Sequence, residues 1–303
     1  MSIATYSFLP YLRQGLANNL QSAGGARGTF TVKLDIHGDA TITPVDDKAV
    51  EIYGPGDIVG IDVRSVVKTD PLDRITNFES NYLAYIDFYD EDFPWRYTPV
   101  TPGGARLNPW ITLVVLAEGE FTEGPGGPTR PLPFITLKSA AIKTGFFPKT
   151  DQLWAWAHVH FNGDLTASDA TIVTENPADV NASLDQLQSA LNSNPDLAYS
   201  RLVCARKLKP STKYHAFLIP SYESGRRAGV GRSAADISAA ALQIAWEGTD
   251  LEFPYYYRWD FNTGIMGDFE YLVRLLKPKV ADSRVGRRVM DVTKPEGSLT
   301  WVE

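Results

Sequence analysis

With 303 residues, the chain is long enough for one large or two modest domains around a substantial core. Its 44% hydrophobic and 21% charged residues are ordinary for a globular protein, while 12% aromatic residues and 20 prolines favour strands and turns over a helical bundle. The single cysteine, Cys204, excludes an internal disulfide and a thiolate metal cluster, and a net charge of −7 argues against nucleic acid as a partner.

The opening "MSIATYSFLPYLRQG" carries no basic region ahead of its apolar residues, which break at Pro10 and Arg13. It does not read as a secretory leader, and no run of about 20 apolar residues is present to span a bilayer. Synthesis and folding in the cytoplasm, without a transmembrane segment, are expected. A short amphipathic helix is predicted from about Pro10, with Leu12, Leu16 and Leu20 a turn apart and Gly24-Gly25 as its end. "FTVKLDIHGDATIT" then alternates, Phe30, Val32, Leu34 and Ile36 facing inward, with Gly38-Asp39 fitting a hairpin turn beside His37. "GPGDIVGID" reads as a turn followed by a strand, and "NYLAYIDF" alternates again. "ITLVVLAE", 111–118, reads as a strand buried on both faces. The Pro/Gly-rich "EGPGGPTRPLP", 123–133, is expected to be a lobe boundary or an exposed tip.

In the second half, a helix starts at Pro177, lines up Val180, Leu184, Leu187 and Leu191, and stops before Pro195. "KYHAFLIP" reads as a strand. "SAADISAAALQIAWEG" reads as a helix capped by Ser233 and ended by Gly248, and "GDFEYLVRLLKPK" as a short helix with a basic end. The expected fold is therefore α+β and strand-dominated, with β-sandwich-like sheets decorated by three or four helices. Its division is an N-terminal β-rich lobe, 1–125, and a C-terminal α+β lobe, 126–303, or one continuous unit.

Charge is unevenly placed. Residues 35–95 hold 14 acids against 4 Lys/Arg, and residues 271–294 hold 7 Lys/Arg against 2 acids. Two solvated faces would explain this, as would a head-to-tail contact between neighbouring copies. Interface candidates are Asp90, Glu91 and Asp92 on the acidic side, with Arg226, Arg227, Arg232, Arg284, Arg287 and Arg288 on the basic side. "FPYYYRWDF", 253–261, is predicted to be one strand with Phe253, Tyr255, Tyr257, Trp259 and Phe261 on one face, suited to packing or an interface rather than to sugar stacking.

Signals for chemistry are weak. In "WAWAHVHF" a strand would put His158 and His160 on one face with Trp154 and Trp156, but two imidazoles need further ligands to hold zinc, and no spacing nominates them. "GRRAGVGRSA" contains G-x-G-x-x-A from Gly229 to Ala234, yet lacks the strand that should run into the first glycine, and it is no phosphate-binding loop. Asp87, Asp90, Glu91 and Asp92 read as an acidic turn more readily than as a hydrolytic pair. Cys204 reads as a buried thiol. No catalytic residue, metal or cofactor is assigned.

Several long strings carry a resemblance: "TYSFLPYLRQGLANNL", "GPGDIVGID…VVKTDP", "TNFESNYLAYIDFYDEDFPWRYTP", "RLNPWITLVVLAEGEF", "WAWAHVHF", "SRLVCARKL", "YHAFLIPSYESGRRAGVG" and "YYYRWDFNTGIMGDFEYLVRLLKP". Together they are similar to a poorly characterised family associated with extracellular contractile injection systems, the phage-tail-like particles of bacteria. The resemblance runs over most of the chain. It implies a structural or accessory component of a sheath–tube–baseplate particle, in the baseplate, cage or cap region, with no active site to carry over. Sheath, tube or baseplate proteins and further copies of the chain are the partners it implies, and such a particle would be assembled in the cytoplasm and released. The chain ends at "GSLTWVE", in what reads as a strand, and reads as a short member of the family or a fragment. The alternatives are a carbohydrate- or surface-binding β-sandwich module and, third, a hydrolase using Asp87 to Asp92 or the His158/His160 pair.

Overall fold

The structure, a computed structural model, describes residues 7–9, 29–33, 35–37, 42–44, 47–51, 53–99, 107–163, 177–232 and 242–265, together with 273–277, 280, 282 and 284–286. The alternating stretches form antiparallel strands. In chain order these are β1 (Ser7–Leu9), β2 (Thr29–Val32), β3 (Asp35–His37), β4 (Ile42–Pro44), β5 (Lys48–Glu51), β6 (Val66–Asp70), β7 (Tyr85–Phe88) and β8 (Ile111–Ala117). There follow β9 (Phe121–Gly124), β10 (Phe134–Leu137), β11 (Ala157–Phe161), β12 (Ala198–Val203), β13 (Lys213–Pro220), β14 (Glu252–Pro254) and β15 (Tyr257–Asn262). Helices at Ala140–Phe146, Pro177–Ser193 and Glu223–Gly229 decorate them, giving the strand-rich α+β fold that the periodicities imply.

A five-stranded sheet runs β1-β11-β12-β7-β6, and two three-stranded sheets run β15-β13-β8 and β14-β10-β9. The ribbons β2/β5 and β3/β4 are separate pairs. One compact unit covers Met1–Met266 and a second Gly267–Glu303. The expected lobes 1–125 and 126–303 share all three larger sheets, because β7 pairs with β12, β8 with β13 and β9 with β10.

β8 is buried along almost its whole length, Ile111 to Leu116 each being at most 2% exposed, as its unbroken apolar run implies. It is nevertheless an edge strand. The buried Arg206 guanidinium covers that edge by donating to the Val115 carbonyl at 3.0 Å while pairing with Glu120. β12 alternates, with Ala198, Ser200 and Leu202 inward. In the Pro177–Ser193 helix, Leu187 and Leu191 are buried as its 3.6-residue period requires. The Pro/Gly-rich stretch is the exposed tip of the β9–β10 hairpin, residues 125–129 all facing solvent.

Some expectations are corrected. The aromatic run is not one strand: β14 pairs with β10, the chain turns at Tyr255-Tyr256, and β15 pairs with β13 in a different sheet. Phe253, Trp259 and Phe261 are buried, but Tyr257 is only half-buried. "GPGDIVGID" forms a 3-10 turn at Pro55–Asp57 and irregular backbone, because its glycines and proline interrupt pairing; the strand begins only at Val66. Val32 is 42% exposed rather than inward-facing. Residues 242–248 are turns around a bridge between Ile244 and Tyr222, not the end of a helix. Trp154 and Trp156 lie in a 3-10 segment, Thr150–Trp156, ahead of β11, so they do not extend the histidine face. The predicted helix from Pro10, the Gly38-Asp39 turn and the start of the helix capped at Ser233 lie outside the described residues.

Candidate functional site: an open cleft between residues 58–65 and 89–97

Two irregular segments face each other across an open cleft of about 600 Å³, lined by Ile58, Ile61, Asp62, Arg64 and Ser65 on one side and by Tyr89, Asp90, Arg96 and Tyr97 on the other. The first wall is shaped by short-range capping. The Asp57 carboxylate accepts the Gly54 N–H at 3.0 Å, and the Asp62 carboxylate accepts the Arg64 N–H at 2.9 Å, starting a 3-10 turn at Val63–Ser65. In the second wall, "DFYDEDFPW" leaves β7 and turns at Phe93–Trp95, where Pro94 presets the backbone.

Arg96 ties that wall together, donating to Asp92 at 2.6 Å and to Asp90 at 2.8 Å. Its hydrogen bond to Asp92 raises its pKa further. Beneath lies Trp110, fully buried, whose Nε1–H donates to the Phe93 carbonyl at 2.7 Å. Tyr97 and Tyr256 meet it edge-on at 5.0 and 5.4 Å. Tyr89, which lines the cleft, is 62% exposed, and Val59 and Val63, next in sequence to lining residues, are 48% and 61% exposed.

Asp90 therefore does stand exposed on the open wall, while Glu91 and Asp92 are half-buried. Asp87 does not join them. It is 1% exposed on β7 and gripped by Arg201, Nε to Oδ1 at 2.6 Å and Nη2 to Oδ2 at 2.9 Å, so a hydrolytic pair cannot include it. The basic candidates separate. Arg226 is 1% exposed and corrects the expectation of a docking cation: it binds Glu223 twice at 2.7 Å, Asp250 at 2.6 Å and the Glu252 carbonyl at 3.1 Å. Arg227 donates to Glu223 at 2.8 Å from a half-buried position. Arg232 is exposed, 3.9 Å from Asp250, and Arg284 is exposed beside Asp282. Arg287 and Arg288 lie outside the described residues.

His158 and His160 do share a face of β11, their rings stacked at 4.6 Å, with Tyr199 stacked on His160 at 4.8 Å. The Tyr199 hydroxyl meets His160 Nδ1 at 3.2 Å. Burial, then the Arg201 charge, depresses His158 to about 4; burial, Arg201, His158 and Lys68 depress His160 to about 3. Among the described residues, no group of three His, Cys, Asp or Glu could hold a metal ion. Burial pushes the Cys204 thiol up to about 11, which makes it a poor nucleophile.

The glycines of "GRRAGVG" serve packing. A Cβ on Gly229 would come within 2.5 Å of Pro254, and Gly231 has φ +78° with the Thr129 carbonyl 1.8 Å from where a Cβ would lie. Sequence reasoning missed Arg96 and Arg201, which organise the acidic stretch. The i,i+4 spacing of Asp92 and Arg96 was a usable signal for the first; nothing local marks the second, 114 residues from Asp87.

Comparison with known proteins adds no assignment: no family model, curated protein or solved structure matches the chain. No helix among the described residues is long and apolar enough to cross a membrane.

Proposed function

We propose that the chain is an assembly subunit of a contractile phage-tail-like particle, working through protein–protein contacts rather than turnover. One observation carries this. Between residues 53 and 89, Tyr53, Val59, Val63, Leu72, Tyr82 and Tyr89 each stand 48–63% exposed. A folded chain that buries Trp110 and Phe88 completely has the means to bury such side chains, and we read these exposed apolar side chains, close together in sequence, as part of a surface that a partner covers. The buried charged groups described above are held in internal ion pairs, which support the fold rather than open a reaction centre. The long strings similar to the injection-system family support the particular kind of assembly.

The test is to purify intact particles from cells that carry this chain alongside sheath and tube genes, and to identify their subunits by mass spectrometry. The chain is expected at a fixed ratio to sheath or baseplate proteins. Its absence from washed, intact particles would overturn the proposal.

A further inference from the structure

The charged groups of the cleft cancel. Its lining sets Asp62 and Asp90 against Arg64 and Arg96, so net charge draws in neither an anion nor a cation. The same groups are fixed in place. Arg64 donates to Asp62 from Nε at 3.2 and 3.1 Å and from Nη2 at 2.8 Å, and the Asp62 carboxylate also holds the Arg64 N–H. On the other wall, Arg96 donates to Asp90 at 2.8 Å and to Asp92 at 2.6 and 3.1 Å. A carboxylate has room for about four hydrogen bonds and a guanidinium for about five, so pairing leaves acceptors and donors over on both walls.

A cleft of about 600 Å³ has the size of a small-molecule site, and its walls narrow the class of ligand. Phe93 and Trp110 are 6% and 0% exposed, so the floor offers little apolar surface to a hydrophobic molecule. Neither wall contains a strand, so no free backbone edge is offered to an extended peptide. What stays open is the exposed ring of Tyr89, with Tyr97 half-buried. From this combination we infer that the cleft binds a neutral saccharide. The C–H face of a sugar ring lies on Tyr89, while its hydroxyls donate to Asp62 and Asp90 and accept from Arg64 and Arg96. Each sugar hydroxyl brings one donor and two acceptor pairs, which suits walls that carry both kinds of partner and no net charge. The inference goes beyond the assembly reading and does not lean on it. Of the exposed side chains on which that reading rests, Tyr89 alone lines the cleft.

The test is isothermal titration of the full-length chain with neutral tetrasaccharides of glucose, mannose, galactose and N-acetylglucosamine, beside polygalacturonate and chitosan fragments as charged controls. At least one neutral sugar is expected to bind, with less than about a twofold change in Kd between roughly 0.05 and 0.5 M salt, because no net charge is involved. Tyr89→Ala is expected to weaken binding about tenfold, and Tyr89→Phe to leave it within about twofold, since the ring and not its hydroxyl makes the contact. Arg64 is also exposed, and Arg64→Ala is expected to weaken binding about tenfold. It reports on the polar half of the site should Tyr89→Ala misfold by circular dichroism.

No neutral sugar bound at about 10 mM, or binding of the charged fragments alone, would overturn the inference. So would binding that survives both Tyr89→Ala and Arg64→Ala unchanged. None of these results bears on the particle test above, which turns on co-purification.

Discussion

His158 and His160 show how single residues on this fold answer to their surroundings rather than to their motif. Stacked beside Tyr199 and facing Arg201 and Lys68, both are held neutral, at about 4 and about 3, by burial first and positive neighbours second. In the unfolded chain each would titrate near 6.5. Below that pH the unfolded state takes up protons that the folded state refuses, so their contribution is complete above about pH 6.5 and shrinks as pH falls toward about 4. The urea midpoint of the wild-type protein is expected to drop between about pH 7 and about pH 5, and His160→Phe, which keeps a stacked ring, should flatten that slope. An unchanged slope would mean that the carboxylates govern acid sensitivity instead. The sequence placed the two imidazoles on one face because strand alternation is local. It could not show that Arg201 of β12 lies opposite His158.

Elements were legible where the signal was local, and illegible where partners decide. β8, β13 and the Pro177–Ser193 helix follow from runs and periods within one segment. The run 253–261 alternates without a break, yet Tyr255-Tyr256 passes it from β10's sheet to β13's, and a change of partner leaves no mark on alternation. The cleft was equally hidden, since its walls come from residues 58–65 and 89–97 and its floor from Trp110. Glycine gave a false hint of nucleotide binding near residue 229 because a tight turn and a phosphate loop ask for the same residue. Its role as a spacer is testable. Gly231→Ala would force a methyl group into the Thr129 carbonyl at a left-handed position, and a loss of about 1–3 kcal/mol is expected from chemical denaturation. A neutral result would show that the β9–β10 hairpin tip yields freely.

For the molecule as a whole, the residues up to Met266 form one unit in which strands distant in sequence are laced together: β9 and β10 with β14, β8 with β13 and β15. Calorimetry of this unit is expected to give a single transition whose calorimetric and van't Hoff enthalpies agree. Two resolved peaks would point instead to the lobes split near residue 125. The expectation has a mechanical root in the Tyr255-Tyr256 passage, where the polypeptide leaves one small sheet and enters the next with no slack between them. Heat or a pulling force that peels β15 away from β13 therefore tugs directly on β14, and damage begun in either sheet spreads at once to the other. A part built in this way would fail late and all together, as a rivet does.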